Sequence, residues 1–180
     1  MRAWNGWYHV SGHTYGTWLP GDTRGWRTRR HRQHVEGDYT NPPPSAAGAG
    51  LRRTSKRSLA KGPVHLTGRQ SRLAIEGMVE KLRENDIDIV AASMDAVHYH
   101  LLARFDSDDV RRPMGLAKKN ASFLLSRLGL PGTVWAQRCR PEPITGRSHQ
   151  LNTLAYILAH AERGAWVWDF RRGYVPPATM

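Results

Sequence analysis

The chain has 180 residues, enough for one domain with a proper core. Its 27 Lys and Arg against 15 Asp and Glu give a formal net charge of +12 and a pI near 10.7, the balance of a polyanion binder, with nucleic acid the first partner to consider. Membrane binding is disfavoured, since there is no apolar run of 18 residues and no basic helix with aromatics on its other face.

The opening Met1-Arg2-Ala3-Trp4-Asn5-Gly6 lacks the apolar stretch of an export signal, so a cytoplasmic location is expected. Trp7 to Tyr15, rich in aromatic and β-branched residues and ending at Gly16, reads as a strand, and Leu19-Pro20-Gly21-Asp22 as a turn. From Arg24 to Lys61, ten Lys and Arg against Glu36 and Asp38 leave a net charge of +8. That stretch includes Pro42-Pro43-Pro44 and a Gly/Ala/Ser run and follows neither period, so a long basic insertion is expected, either a solvated loop or one that orders on nucleic acid.

Helical spacing of Leu73, Ile75, Met78, Val79 and Leu82 predicts a first helix over Gly68 to Asn85. Asp88 to Met94 and Ala96 to Phe105 are two apolar runs joined at Asp95, a strand pair whose second member suits an inner strand. Ser107 predicts the cap of a second helix that carries Leu116, Ala117, Ala121, Leu124, Leu125 and Leu128 and stops at Gly129. Val134 to Ile144, broken by Pro141 and Pro143, suits an edge strand. Ser148 then caps a third helix reaching about Arg163, with Gly164 as its stop. This order predicts an α+β fold, a ferredoxin-like antiparallel sheet with helices packed on it, in a single domain.

His98 and His100 flank one residue of a predicted strand, so both imidazoles project from one face, a separation that suits two ligands on one cation. Alone, the pair also fits two unrelated strand histidines. On the third helix Leu151, Leu154, Ala155 and Leu158 are expected to form the core-facing stripe, with Tyr156 and His160, one turn apart, leaving the core together. A Tyr at the rim of the sheet and a surface His would look the same. Because Cys139 is the sole cysteine, a metal here must be held by His, carboxylate or amide ligands.

His98-Tyr99-His100-Leu101-Leu102 on a central strand, followed 56 residues after His100 by Tyr156 in Tyr156-Ile157-Leu158-Ala159-His160, resembles the HUH single-tyrosine transposases. The REP-associated tyrosine transposases and their relatives are the nearest group. The run Thr14-Tyr15-Gly16-Thr17-Trp18-Leu19-Pro20-Gly21-Asp22-Thr23-Arg24-Gly25-Trp26 is similar to a segment at the start of such proteins. The likeness spans about Trp7 to about Val167 apart from the insertion.

The resemblance implies a nuclease and strand transferase acting on single-stranded DNA at hairpin-marked ends. Tyr156 would be the nucleophile, and His98, His100 and His160 the ligands of a divalent metal, Mg or Mn. It also implies a 5′-phosphotyrosine intermediate and allows a homodimer. Two departures bear on the site. Tyr99 replaces the usual aliphatic between the histidines, which leaves open a rotated site using its hydroxyl. Ala159-His160-Ala161-Glu162-Arg163-Gly164 replaces the usual sequence after the nucleophile, which leaves His9 or His13 as alternative third ligands.

Trp26 among Arg24, Arg27, Arg29 and Arg30 suits base stacking beside phosphate contacts. Arg138 and Arg140 on the edge strand, with Lys118 and Lys119 on the second helix, are candidates for a backbone groove. Two rival readings use the same residues. One is a silent relative that only holds nucleic acid; the other is a nuclease activating water at the His pair, with Tyr156 structural.

Overall fold

In chain order the elements are β1 (Trp7–His13), β2 (Trp26–Arg27), β3 (His34–Val35), α1 (Ala49–Arg57), α2 (Gly68–Arg83), β4 (Asp88–Met94), β5 (His98–Arg104), α3 (Arg111–Ser126), β6 (Arg140–Pro143), α4 (Arg147–Leu158), a 3-10 segment (Ala159–Arg163), β7 (Trp166–Asp169) and β8 (Gly173–Val175). The computed structural model describes residues 3–24, 26–27, 34–35 and 48–178. Two compact units divide the chain, one of Met1–His13 with His65–Met180 and one of Thr14–Val64.

The larger unit is built on a six-stranded sheet ordered β6-β1-β5-β4-β7-β8, antiparallel at every pairing. Its core, β1-α2-β4-β5-α3-β6 with spatial order β6-β1-β5-β4, is the expected ferredoxin-like α+β arrangement. The Pro-interrupted strand falls at the edge beside β1, where Pro141 and Pro143 cost fewest ladder bonds. At the other edge β7 and β8 extend the sheet. They lie beyond the Gly164 stop and were not anticipated, although Trp166-Val167-Trp168 and a left-handed Gly173 (φ 73°) carry the signal of a short hairpin.

Side-chain alternation divides the sheet into two faces. Ala92, Met94, Tyr99 and Leu101 meet Ile75, Met78 and Leu82 of α2 and Met114 of α3. Ala91 and Leu102 meet Ile157 of α4 and Ile144. Helix α2 starts at a capping box, in which the Thr67 side chain accepts from the Gln70 amide and the Gln70 side chain from the Thr67 amide. It crosses α3 closely at Gly77, where a Cβ would stand 2.7 Å from Leu124 Cδ1. Helix α3 begins at Arg111, after the Ser107 expected to cap it, and Leu116 of its expected stripe is 40% exposed.

The largest correction concerns α4. Its buried residues are Gln150, Thr153 and Ile157, while Leu151 is exposed, so the core-facing stripe is turned from the one the apolar residues suggested. The reason is local. Leu154 and Leu158 of the expected stripe pack half-buried beside Ile157 on Ala91, Leu102 and Ile144, while Leu151 and Ala155 are exposed and Gln150 accepts from Arg147.

The smaller unit closes on itself through Thr14 Oγ1, which donates to the Val64 carbonyl at 2.7 Å, and the Val64 amide, which donates to Tyr15 O at 2.9 Å. Gly21 and Gly48, both left-handed at φ 87°, pack so closely that a Cβ on Gly21 would lie 2.4 Å from Gly48 O and 2.5 Å from Arg52 N. The stretch expected as an aperiodic insertion therefore holds a helix, α1. Its Arg29, Arg30 and Pro42-Pro43-Pro44 lie outside the described residues.

Candidate metal and tyrosine centre

Strand β5 presents His98 and His100 to the α4 face, and pairing with β1 sets His13 opposite His98, Ser11 opposite His100 and His9 on the diagonal. The imidazole of His9 reaches along that diagonal, its Nε2 lying 3.0 Å from His100 Nδ1. His98 is held from its own turn. Asp95 Oδ1 accepts from the backbone amides of Val97 and His98, each at 2.7 Å, while Oδ2 faces His98 Nδ1 at 2.5 Å. Burial alone would raise the Asp95 carboxyl, but these hydrogen bonds outweigh it and hold the group below its usual range.

Helix α4 brings the remaining groups. At Ala159 it tightens into the 3-10 segment, and His160 is buried at 5% exposure, facing the sheet. Tyr156, one turn earlier, is 43% exposed. Contrary to expectation, the two do not leave the core together: His160 enters it and Tyr156 stands at its edge. The Tyr156 ring meets His160, His100 and His9 edge-on, at centroid separations of 4.9, 5.3 and 6.1 Å. His100 lies 4.9 Å from His98 and 4.8 Å from His160 by centroid.

One nitrogen from each of His98, His100 and His160 falls within 4.8 Å of the others, a cluster able to hold a metal ion. The donor chemistry fits one. Nε2 of His100 and of His160 are buried with no hydrogen-bond partner among the described residues, and leaving such an atom unsatisfied costs roughly 1–3 kcal/mol. Burial drives His100 down to about 3, with His98, His9 and His160 adding to the shift and Asp95 opposing it. His160 falls to about 4, again chiefly through burial and then through His98. Burial also lowers His9. His100 and His160 are therefore neutral near pH 7, the form that ligates metal.

Tyr99 does not belong to this site. It points to the opposite face, 2% exposed, with its ring 5.9 Å from that of Trp135 and over Gly12, where a Cβ would stand 2.4 Å from Tyr99 Oη. Burial raises its phenol. The rotated site with a second hydroxyl is thus excluded by strand parity. Asp95 and His9 are the residues that sequence reasoning missed as supports: His9 lies against His100 Nδ1, outside the three-histidine cluster, and Asp95 was visible only as the joint between two strands.

The expected DNA contacts separate as well. Arg24 is committed locally, its Nε 2.8 Å from Asp22 Oδ1, its Nη2 donating to Thr17 O and its guanidinium over the Trp18 ring. Lys118 donates to the carbonyls of Ala136 and Gln137, and burial lowers its ammonium, so it secures a loop rather than lining a groove. Lys119, Arg138 and Arg140 are exposed, and Arg140 reaches Glu142 at 3.6 Å. Trp26 is half-buried on β2, and the Arg27 side chain lies outside the described residues.

No protein-family model and no curated protein matches the sequence. Among solved structures, the chain is similar to a REP-associated tyrosine transposase bound to a REP hairpin, at 14% identity and a TM-score of 0.49, over 91% of this chain and 70% of the other.

Proposed function

We propose that this protein is a metal-dependent endonuclease and strand transferase that cuts and rejoins single-stranded DNA at hairpin-marked ends through a covalent bond to Tyr156. The observation that carries this reading is a tyrosine set edge-on to two imidazoles whose buried Nε2 atoms lack any partner among the described residues. A divalent cation bound by His98, His100 and His160 would withdraw charge from the non-bridging oxygens of the scissile phosphate. Mg and Mn are the candidates, and three imidazole nitrogens favour Mn.

Each side chain has a distinct task. Asp95 accepts from Nδ1–H of His98, and His9 Nε2 accepts from Nδ1–H of His100, which leaves both Nε2 lone pairs for the cation. Tyr156, exposed on its outer side, admits a strand from solvent. Its Oη attacks phosphorus in line, the bond to the 3′ oxygen breaks, and a 5′-phosphotyrosine and a free 3′-OH result. The phenolic proton passes to water and the departing oxygen takes one up. Because the ester linkage is retained, a second 3′-OH displaces Tyr156 and joins strands without ATP. Action in the cytoplasm, as a monomer or homodimer, belongs to the same proposal.

Incubation of the protein with labelled single-stranded oligonucleotides from the DNA flanking its gene, in Mn or Mg, tests the reading. The expected result is an adduct that survives denaturation and disappears in Tyr156→Phe and with a chelator. Cleavage that persists in Tyr156→Phe would assign the chemistry to activated water, and binding without an adduct would leave only a nucleic-acid-binding protein.

A further inference from the structure

Among the described residues the densest run of positive charge, four cations between positions 52 and 57, lies in the smaller unit, on α1. Arg52, Arg53, Lys56 and Arg57 place four cations in nine residues with no acid among them, and all four are exposed. At about 100° per residue they occupy an arc of about 140°. Leu51 and Ser55, both half-buried, lie on the opposite side. The helix thus turns a purely cationic face outward.

That face works against the helix that carries it. Arg52 and Lys56, and Arg53 and Arg57, are like-charged pairs at i,i+4, which destabilise a helix. Its N-cap, Gly48, offers no side-chain cap hydrogen bond. The sole acidic neighbour of these cations among the described residues is Asp22, 4.0 Å from Arg52 and already held by two nitrogens of Arg24 at 2.8 and 2.9 Å. Arg53, Lys56 and Arg57 have no acidic partner among the described residues. What fixes the helix is backbone packing, the contact of Gly21 with Gly48 and the Arg52 amide.

We infer that α1 is a docking face for the phosphate backbone of a base-paired DNA segment, such as the stem of a hairpin. Anionic phosphates would relieve the repulsion that no acid among the described residues compensates apart from Asp22. The helix carries no aromatic residue, so it offers no platform for unpaired bases; cations on a fixed helical face suit a regular duplex backbone, read without sequence. The inference rests on the nucleic-acid reading above and gives the paired segment a contact on the smaller unit.

The triple variant Arg53→Ala/Lys56→Ala/Arg57→Ala in the full chain tests it, using a DNA hairpin of arbitrary sequence with a fully paired stem and an unpaired oligonucleotide of equal length. Removing like charges and adding alanines favours the helix, so the Tm should hold or rise and weaker binding is not a folding defect. Hairpin affinity should fall roughly tenfold or more, and the slope of log K against log salt should flatten by about 2 to 3. Binding of the unpaired oligonucleotide should change little. A wild-type hairpin affinity and slope in the variant, or an equal loss for the unpaired strand, overturns the inference. If wild-type protein forms no tyrosine adduct yet the variant loses hairpin affinity, the proposed chemistry fails while the α1 contact stands.

Discussion

The two units manage charge in opposite ways. Residues 14–64 carry ten Lys and Arg against three acids, a net of +7 over 51 residues, whereas the remaining 129 residues carry seventeen against twelve, a net of +5. On α1 the cations face water. In the histidine cluster burial strips His100 and His160 of their protons. Attraction of a polyanion needs exposed charge that acts at a distance; holding a metal beside a phosphate needs neutral donors kept out of water. One surface cannot do both.

The largest test of this contrast is removal of a donor. His160→Ala should weaken Mn binding by more than about a hundredfold, measured by calorimetry, since even outer supports of metal ligands are worth 10–100-fold. Hairpin affinity in the absence of metal should be unchanged. A common loss of both would show that the cluster and the basic surface are not independent.

A smaller effect is expected from Asp95→Asn, which preserves shape but removes the charge facing His98 Nδ1. Metal affinity should drop about 10–100-fold with the fold intact by circular dichroism. Unchanged affinity would mean that the turn, not the carboxylate, orients His98.

Acid should expose the contrast most gently. Both buried imidazoles titrate below their unfolded value near 6.5, so the unfolded chain binds more protons across the interval from about 6.5 down to about 3 for His100 and about 4 for His160. Their contribution to metal-free stability is complete above pH 6.5 and is lost as pH falls through that interval, by about 1.4 kcal/mol per pH unit for each imidazole. Denaturant unfolding in chelator at pH 7.0, 6.0 and 5.0 measures it. Substitution of either histidine by glutamine should flatten the slope.

Much of the fold was legible because it rests on local rules. Period-two alternation put His98 and His100 on one face, the helical spacing of Leu73, Ile75, Met78, Val79 and Leu82 marked α2, and Pro141 and Pro143 sent β6 to an edge. Helix α4 misled because its buried face holds the polar Gln150 and Thr153 beside Ile157, while the apolar Leu151 faces out, so apolar spacing does not mark the buried side. Helix α1 has a single large apolar residue, Leu51, so no periodicity announces it. His9 gains its partner from diagonal pairing across 91 residues of chain, which no local spacing encodes.

Gly12 sets a limit on how this chain can diverge. A Cβ there would stand 2.4 Å from Tyr99 Oη, so any larger residue forces the Tyr99 ring to move within the strand that carries His98 and His100. The histidine face is thus coupled to the packing on the other face through strand β5. A change at Gly12 therefore reaches His98 and His100 through the strand they share with Tyr99.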